Sequence, residues 1–267
     1  MASMKKIGLA LLFLQLTLII LASFDCFWSI IDAMDDVDKT LTVALNYDGG
    51  QFSDYLWKRL SKNVAWAPMI LALSYVLLTC KKQWAEAGLF LLGLVLVIAL
   101  SDQVSSSVIK PLVERLRPSH EPEISNMLHY VGNYRGGRYG FVSSHAANAM
   151  GVATYLSLAF RKKWLTVSLL VWSLGVCYSR IYLGVHYVGD IIGGSLIGVT
   201  AGIWCYELLL FVINRMHNRS MNQLSERMVA KHFLIVCSIW MSVLFLFSYT
   251  AWRIYSPYVM SIIANVY

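Results

Sequence analysis

The chain has 267 residues, of which 58% are hydrophobic and only 14% charged, and its mean hydropathy of +0.59 excludes an ordinary soluble domain in favour of a polytopic membrane protein. The formal charge of +7 reflects membrane topology, so no nucleic-acid partner is expected. Five cysteines, Cys26, Cys80, Cys177, Cys205 and Cys237, lie in or beside apolar runs without paired spacing, which argues against a disulfide framework and a zinc site.

Lys5 and Lys6 precede an apolar run from Ile7 to about Ile31, interrupted by Asp25. The run is long for a cleaved leader, and Asp25 before Cys26 spoils a lipoprotein-type cleavage box, so it reads as a retained first span. Residues 32–63 are polar and mixed, with Asp32, Asp35, Asp36 and Asp38, a turn at Asp48, Gly49 and Gly50, and amphipathic pieces over 41–45 and 52–60. They are expected to lie along the membrane surface. Spans follow at 64–80 and 85–109, joined by Lys81, Lys82 and Gln83; at about 1.5 Å per residue each can cross a core of roughly 30 Å, the shorter one barely. Residues 110–144 are the longest polar insertion in the middle of the chain. Spans at 146–160 and 164–178 are joined by Arg161, Lys162 and Lys163, a sixth runs over 190–213, and after a basic link the stretch 232–249 is apolar enough for a seventh. This is a single all-α membrane domain: first span and external segment over 1–63, a core over 64–213, and a basic link with a C-terminal hydrophobic segment over 214–267.

Three stretches carry chemistry. In KPLVERLRP, residues 110–118, Lys110 and Arg117 stand seven apart, which on a helix puts both cations on one face, with Pro118 ending it. The plain alternative is a solvated Lys110–Glu114 pair. In GFVSSHAAN, residues 140–148, Ser143, Ser144 and His145 precede an apolar run, where a serine caps a helix whose exposed amides bind anions. In SRIYLGVHYVGD, residues 179–190, His186 and Asp190 are four apart. If a helix begins near His186, the carboxylate takes a proton from one imidazole nitrogen and frees the other as a base or nucleophile, with Arg180 upstream to bind an anion. An ion pair that merely holds a loop fits this stretch equally well.

Together these stretches resemble the lipid phosphate phosphatase superfamily, the type-2 phosphatidic acid phosphatases related to vanadium haloperoxidases, whose motifs read K-x6-R-P, P-S-G-H and S-R-x5-H-x3-D. Lys110, Arg117 and Pro118 match the first, Ser143 and His145 the second, and Ser179, Arg180, His186 and Asp190 the third. Val142 stands in place of the family proline, and Ser144 in place of the glycine that lets backbone approach phosphate. The resemblance covers roughly residues 64–213. It implies a six-span helical bundle, to which 232–249 adds a C-terminal hydrophobic helix, and catalysis without a metal or other cofactor. It also implies roles. Lys110, Arg117, Ser143, Ser144 and Arg180 would bind the phosphoryl oxygens, Asp190 would orient His186 as nucleophile, and His145 would protonate the leaving oxygen and then activate water.

Lys and Arg arithmetic sets the orientation. Lys5, Lys6, Lys81, Lys82, Arg161, Lys162, Lys163, Arg215, Arg219, Arg227 and Lys231, half of the 22 basic residues, fall on one side with few acids, which is therefore cytoplasmic. All three motifs then face outward, on the periplasmic side of a bacterial inner membrane. Asp102 is expected to make a bundle-facing hydrogen bond. His120, Glu121, Glu123 and His129 have spacing too irregular for a metal, and Arg135 and Arg138 flank glycines where they either meet a headgroup or sit in solvent. The favoured function is hydrolysis of a lipid phosphate or diphosphate, with undecaprenyl diphosphate, phosphatidylglycerol phosphate, phosphatidic acid and lipid A phosphate as candidates. A lipid phosphotransferase using the same intermediate, and a noncatalytic lipid-binding or transport protein, are the alternatives.

Overall fold

A computed structural model describes residues 9–10, 12–13, 15–17, 25–78, 84–217 and 231–266. Among them the chain is helical, with one isolated antiparallel bridge between Leu116 and Tyr139. The helices are α1 (Asp25–Leu45), α2 (Gly50–Leu60), α3 (Ala67–Leu78), α4 (Trp84–Gln103), α5 (Lys110–Val113), α6 (Ser144–Phe160), α7 (Lys163–Tyr182), α8 (Val188–His217) and α9 (His232–Val266). A 3-10 turn, Asn63–Trp66, leads into α3, and a π-helical segment, Val104–Ile109, joins α4 to α5.

Among the described residues, four helical stretches are long and apolar enough to cross a membrane: Trp84–Val113, Lys163–Tyr182, Val188–Arg215 and His232–Tyr255. The last makes the C-terminal hydrophobic segment a full helix of the bundle. It docks on α2 and α7 through Phe52 against Phe247 at 5.6 Å, Arg59 Nη2 donating to Tyr249 Oη at 3.2 Å and Trp240 Nε1 donating to Ser168 Oγ at 3.1 Å. The expected span over 64–80 is a 3-10 turn followed by the 12 residues of α3, and residues 79–83 of its link lie outside the described set. Of the expected first span, residues 7, 8, 11, 14 and 18–24 also lie outside it, and its last stretch, 25–31, belongs to α1. Within that span, Gln15 donates to Leu196 O and Thr200 Oγ1 of α8. The expected surface pieces differ in detail, because 25–45 forms one helix where a shorter piece over 41–45 was anticipated.

The centre of the bundle is the α6–α8 contact, and small residues make it. A Cβ on Gly202 would sit 2.7 Å from Gly151 O, while one on Gly194 would strike the Ser143 carbonyl and one on Gly198 the Ala147 carbonyl. Glycines four apart therefore let two backbones touch along one face. That contact fixes the start of α6, with Ser143 and His145, against the start of α8, with Asp190: Ser143 N donates to Asp190 O at 3.0 Å. On the other flank of α6, Tyr155 is fully buried and donates to Phe90 O at 2.8 Å, in a space that Gly93 leaves open.

Candidate active site

The first motif is not a continuous helix. α5 stops at Val113, Glu114 takes a left-handed conformation at φ 51°, and Arg117 is extended at φ −73°, ψ 155°. Proline at 118 disfavours helix at the preceding residue, so the cations do not share a helical face as expected. Arg117 instead enters the site on a short extended segment: its N–H donates to Arg138 O at 3.0 Å, and Gly140 N donates to Arg115 O at 2.9 Å. The alternative Lys110–Glu114 pair is also absent among the described residues, because Lys110 Nζ turns inward and donates to Ser144 Oγ at 2.9 Å. Ser144 thus ties down a cation with the hydroxyl it carries in place of the family glycine. Ser106 Oγ, 2.9 Å from Ser144 Oγ, continues that chain towards Asp102, which accepts from Ser106 at 3.5 Å.

Ser143 caps α6, its Oγ accepting from Ala146 N at 3.4 Å. The next residue but one, His145, is half-buried at the helix mouth and lies within Coulombic reach of Arg180, His186, Lys110 and Arg117. α8 starts at Val188, two residues later than a helical His186 would need, yet the expected pair still forms. His186 Nδ1 donates to Asp190 Oδ2 at 3.0 Å, and the same oxygen accepts Tyr187 N at 3.1 Å. The carboxylate in the first turn therefore gathers the loop in front of it.

With Nδ1 protonated, Nε2 of His186 is an acceptor, and Arg117 Nη1 donates to it at 2.9 Å. Arg117 is held for this by Val185 O and Tyr139 O, both at 3.0 Å. Burial first, then Arg117, Arg180 and Lys110, hold His186 well below the usual imidazole range, so it is neutral at pH 7. Burial and neighbouring Arg180 also push Arg117 below its ordinary value. Arg180, buried at the end of α7, donates to Ser61 Oγ and, at 3.0 Å, to Tyr134 Oη. Its Nε is buried without a hydrogen-bond partner among the described residues. Burial raises Tyr134, but Arg180 outweighs it and the phenol ends below its usual value.

The eight residues expected at a site, Lys110, Arg117, Ser143, Ser144, His145, Arg180, His186 and Asp190, thus form one cluster. Arg135 and Arg138 stay exposed on its outer loop, lying over Tyr130 at 3.4 Å and Tyr139 at 5.5 Å. His129, grouped with Asp48 and Asp54 closely enough to hold a cation, hydrogen-bonds Asp54 Oδ1 at 2.7 Å, an oxygen that also accepts Tyr182 Oη. Sequence reasoning missed Arg115, whose Nη1 reaches Asp190 Oδ1 at 3.3 Å and Asp38 Oδ2 at 2.8 Å while Nη2 reaches Asp35 Oδ1 at 2.8 Å. No spacing signal marks it, although acids three apart on α1 share a face and could have been read as seeking a cation.

A neutral imidazole aimed by a carboxylate is a nucleophile or base, and cations packed round it hold an oxyanion whose charge rises during reaction. In a bundle of membrane-spanning helices that combination defines the class as an integral-membrane phosphatase. The match to known proteins agrees. The family model of the PAP2 superfamily matches residues 90–214. The lipid A 4'-phosphatase of Bacteroides thetaiotaomicron is 37% identical over 180 residues, covering 67% of this chain and 79% of the relative. That of Porphyromonas gingivalis is 38% identical over 183 residues, covering 67% and 76%. A crystal structure of a transmembrane PAP2 type phosphatidylglycerolphosphate phosphatase from Bacillus subtilis shares the fold at a TM-score of 0.55 and 22% identity, over 78% of this chain and 96% of that one. The chain belongs to the PAP2 superfamily and is a phosphoric monoester hydrolase acting on membrane lipid.

Proposed function

We propose that this enzyme removes a phosphate monoester from lipid A at the external leaflet of a bacterial inner membrane, through a phosphohistidine at His186. The observation that carries the mechanism is the Asp190–His186–Arg117 line, in which Nδ1 is fixed by a buried carboxylate and Nε2 presents its lone pair to a cation. A phosphoryl oxygen replacing Nε2 as the acceptor of Arg117's N–H brings phosphorus against that lone pair. Lys110, Arg180 and the amides at the start of α6 meet the other oxygens. Nε2 attacks, the P–O ester bond breaks, and His145 gives its proton to the departing oxygen. The substrate's negative charge, arriving among three cations, favours the imidazolium form of His145 that this requires. His145, now neutral, takes a proton from water; the hydroxide attacks phosphorus, the P–N bond breaks, and inorganic phosphate leaves with His186 restored.

The lipid is inferred from the two lipid A 4'-phosphatases, and the leaflet from the basic residues on the opposite face. The test is phosphate release by purified protein from lipid A, phosphatidylglycerol phosphate, phosphatidic acid and undecaprenyl diphosphate in mixed micelles. The expected result is highest kcat/KM on lipid A, with release lost in His186→Ala. A clear preference for another lipid overturns the substrate, and full activity of His186→Ala overturns the mechanism. Reporter fusions within residues 119–139 are expected to report the exterior; a cytoplasmic readout removes the leaflet assignment.

A further inference from the structure

Asp190 is fully buried, and an ionised carboxylate there must be paired or its charge becomes expensive. Its ion-pair partners among the described residues are His186 and Arg115. Oδ2 serves His186 and Tyr187 N, and Arg115 meets Oδ1. The other cations that face Asp190, Arg117 and Lys110, are spent elsewhere: Arg117 on His186, Val185 O and Tyr139 O, Lys110 on Ser144.

Arg115 is itself clamped from outside the stretch that the family model matches. α1 supplies Asp38 and Asp35, each 2.8 Å from one guanidinium nitrogen, and the ring of Tyr187 lies 3.9 Å beneath the guanidinium carbon. The same helix holds the start of α8: Asp38 Oδ1 accepts Gly189 N at 2.9 Å, and Thr42 Oγ1, one turn on, accepts Val188 N at 3.3 Å. A side chain at 189 would meet Asp38 Oδ2 at 2.6 Å, so glycine there is what allows α1 to close on the loop. Lys39 balances the surplus of acids by pairing with Asp35 at 2.5 Å and Glu123 at 2.7 Å. Burial acts to lower Arg115, but Asp190, Asp38 and Asp35 outweigh it, and the cation is secured.

We propose that Arg115, held by Asp35 and Asp38 of α1, is a positioning residue for the Asp190–His186 pair, so that α1 is part of the catalytic apparatus. Arg115 keeps Asp190 charged and turned so that Oδ2 faces Nδ1. It acts through Asp190 and touches neither substrate nor the reacting nitrogen. The inference rests on the assignment of His186 and Asp190 made above.

The test is a double-mutant cycle on the full chain in detergent, with radiolabelled lipid A as substrate. Arg115→Gln is expected to lower kcat about 30-fold with KM within about twofold, the signature of an interaction that matters to the transition state. Arg115→Lys restores part of that loss by keeping one cation near Oδ1. In an Asp190→Asn background, Arg115→Gln changes kcat by less than about twofold, because its target is gone. A merely structural staple gives the same fractional loss in both backgrounds, and that result overturns the proposal, as does unchanged kcat in Arg115→Gln. If Arg115→Gln does not fold, Asp38→Asn, which keeps the cation and weakens its clamp, is expected to lower kcat about fivefold in the wild-type background only; wild-type turnover there overturns the proposal. Full activity of Asp190→Asn sinks the catalytic assignment itself, whereas an active Arg115→Gln beside an inactive Asp190→Asn sinks the bridge alone.

Discussion

Arg117 is the residue at which the phosphatase reading is most exposed to measurement. It is 8% accessible and makes three side-chain contacts: Nη1 to His186 Nε2 at 2.9 Å, Nη1 to Val185 O at 3.0 Å and Nε to Tyr139 O at 3.0 Å. In the proposed mechanism only the first is exchanged for phosphoryl oxygen, while the two carbonyls aim the guanidinium throughout. Arg117→Ala removes one charged donor to the transition state, an effect of about 3–4 kcal/mol, or roughly 10²–10³-fold in kcat/KM. Arg117→Lys keeps the charge and loses the two aiming bonds. At about 0.5–1.5 kcal/mol each these sum to about 1–3 kcal/mol, so lysine is expected to fall roughly 5- to 150-fold below wild type rather than rescue. Phosphate release from lipid A in mixed micelles, over a range of substrate and with melting curves for each variant, measures both. A folded Arg117→Lys protein within threefold of wild type would refute the claim that fixed geometry, beyond charge, is what Arg117 provides.

His145→Ala, given a lipid diphosphate or aryl phosphate with a good leaving group, is expected to show a burst of leaving group and to accumulate an acid-labile phosphoenzyme, since loss of the base stalls the second step. Equal loss on all leaving groups with nothing trapped in a single-turnover assay would favour direct attack by water. Because His186 is held below the imidazole value of the unfolded chain, the unfolded state binds the extra proton as pH falls through about 6.5, and wild type loses stability from this group between pH 7 and 5.5. Thermal midpoints of His186→Ala should therefore fall less steeply over that window; parallel slopes would show that the imidazole is not held neutral. Gly198→Ala drives a methyl against the Ala147 carbonyl and to 2.8 Å from Gly151 N, so a loss of about 1–3 kcal/mol with reduced turnover is expected, while Gly88→Ala, with nothing within 4 Å, should melt like wild type. An unaffected Gly198→Ala would mean that the α6–α8 contact is looser than described.

What the sequence determined by itself was the chemistry-bearing residues and the medium. Apolar runs at spanning length signal helices, because lipid leaves backbone groups no other partners. A histidine and an aspartate four apart beside an arginine stay within reach of one another whether or not a helix has begun, so the His186–Asp190 pair was legible although α8 starts only at Val188. Arg117 was legible as a cation but not as an extended one, since the break at Glu114 and the backbone bonds from Arg117 to Arg138 and from Gly140 to Arg115 depend on a loop segment more than 20 residues away. Ser144 was visible as a departure from the motif; that its hydroxyl anchors Lys110 is a contact across 34 residues.

Only tertiary structure decided the role of α1. Asp35 and Asp38 in a polar stretch are indistinguishable from a solvated helix face, and Arg115 from a neighbour of Arg117. The contacts that join them span 80 and 77 residues, and a third crosses the 75 residues from Arg115 to Asp190. Local pattern reports which side of one element is polar and carries no term for which distant charge will meet it. The meeting is set by the glycine-lined approach of α6 to α8, which fixes Asp190 in a dry place, and by the energetic demand that a buried carboxylate find a cation there.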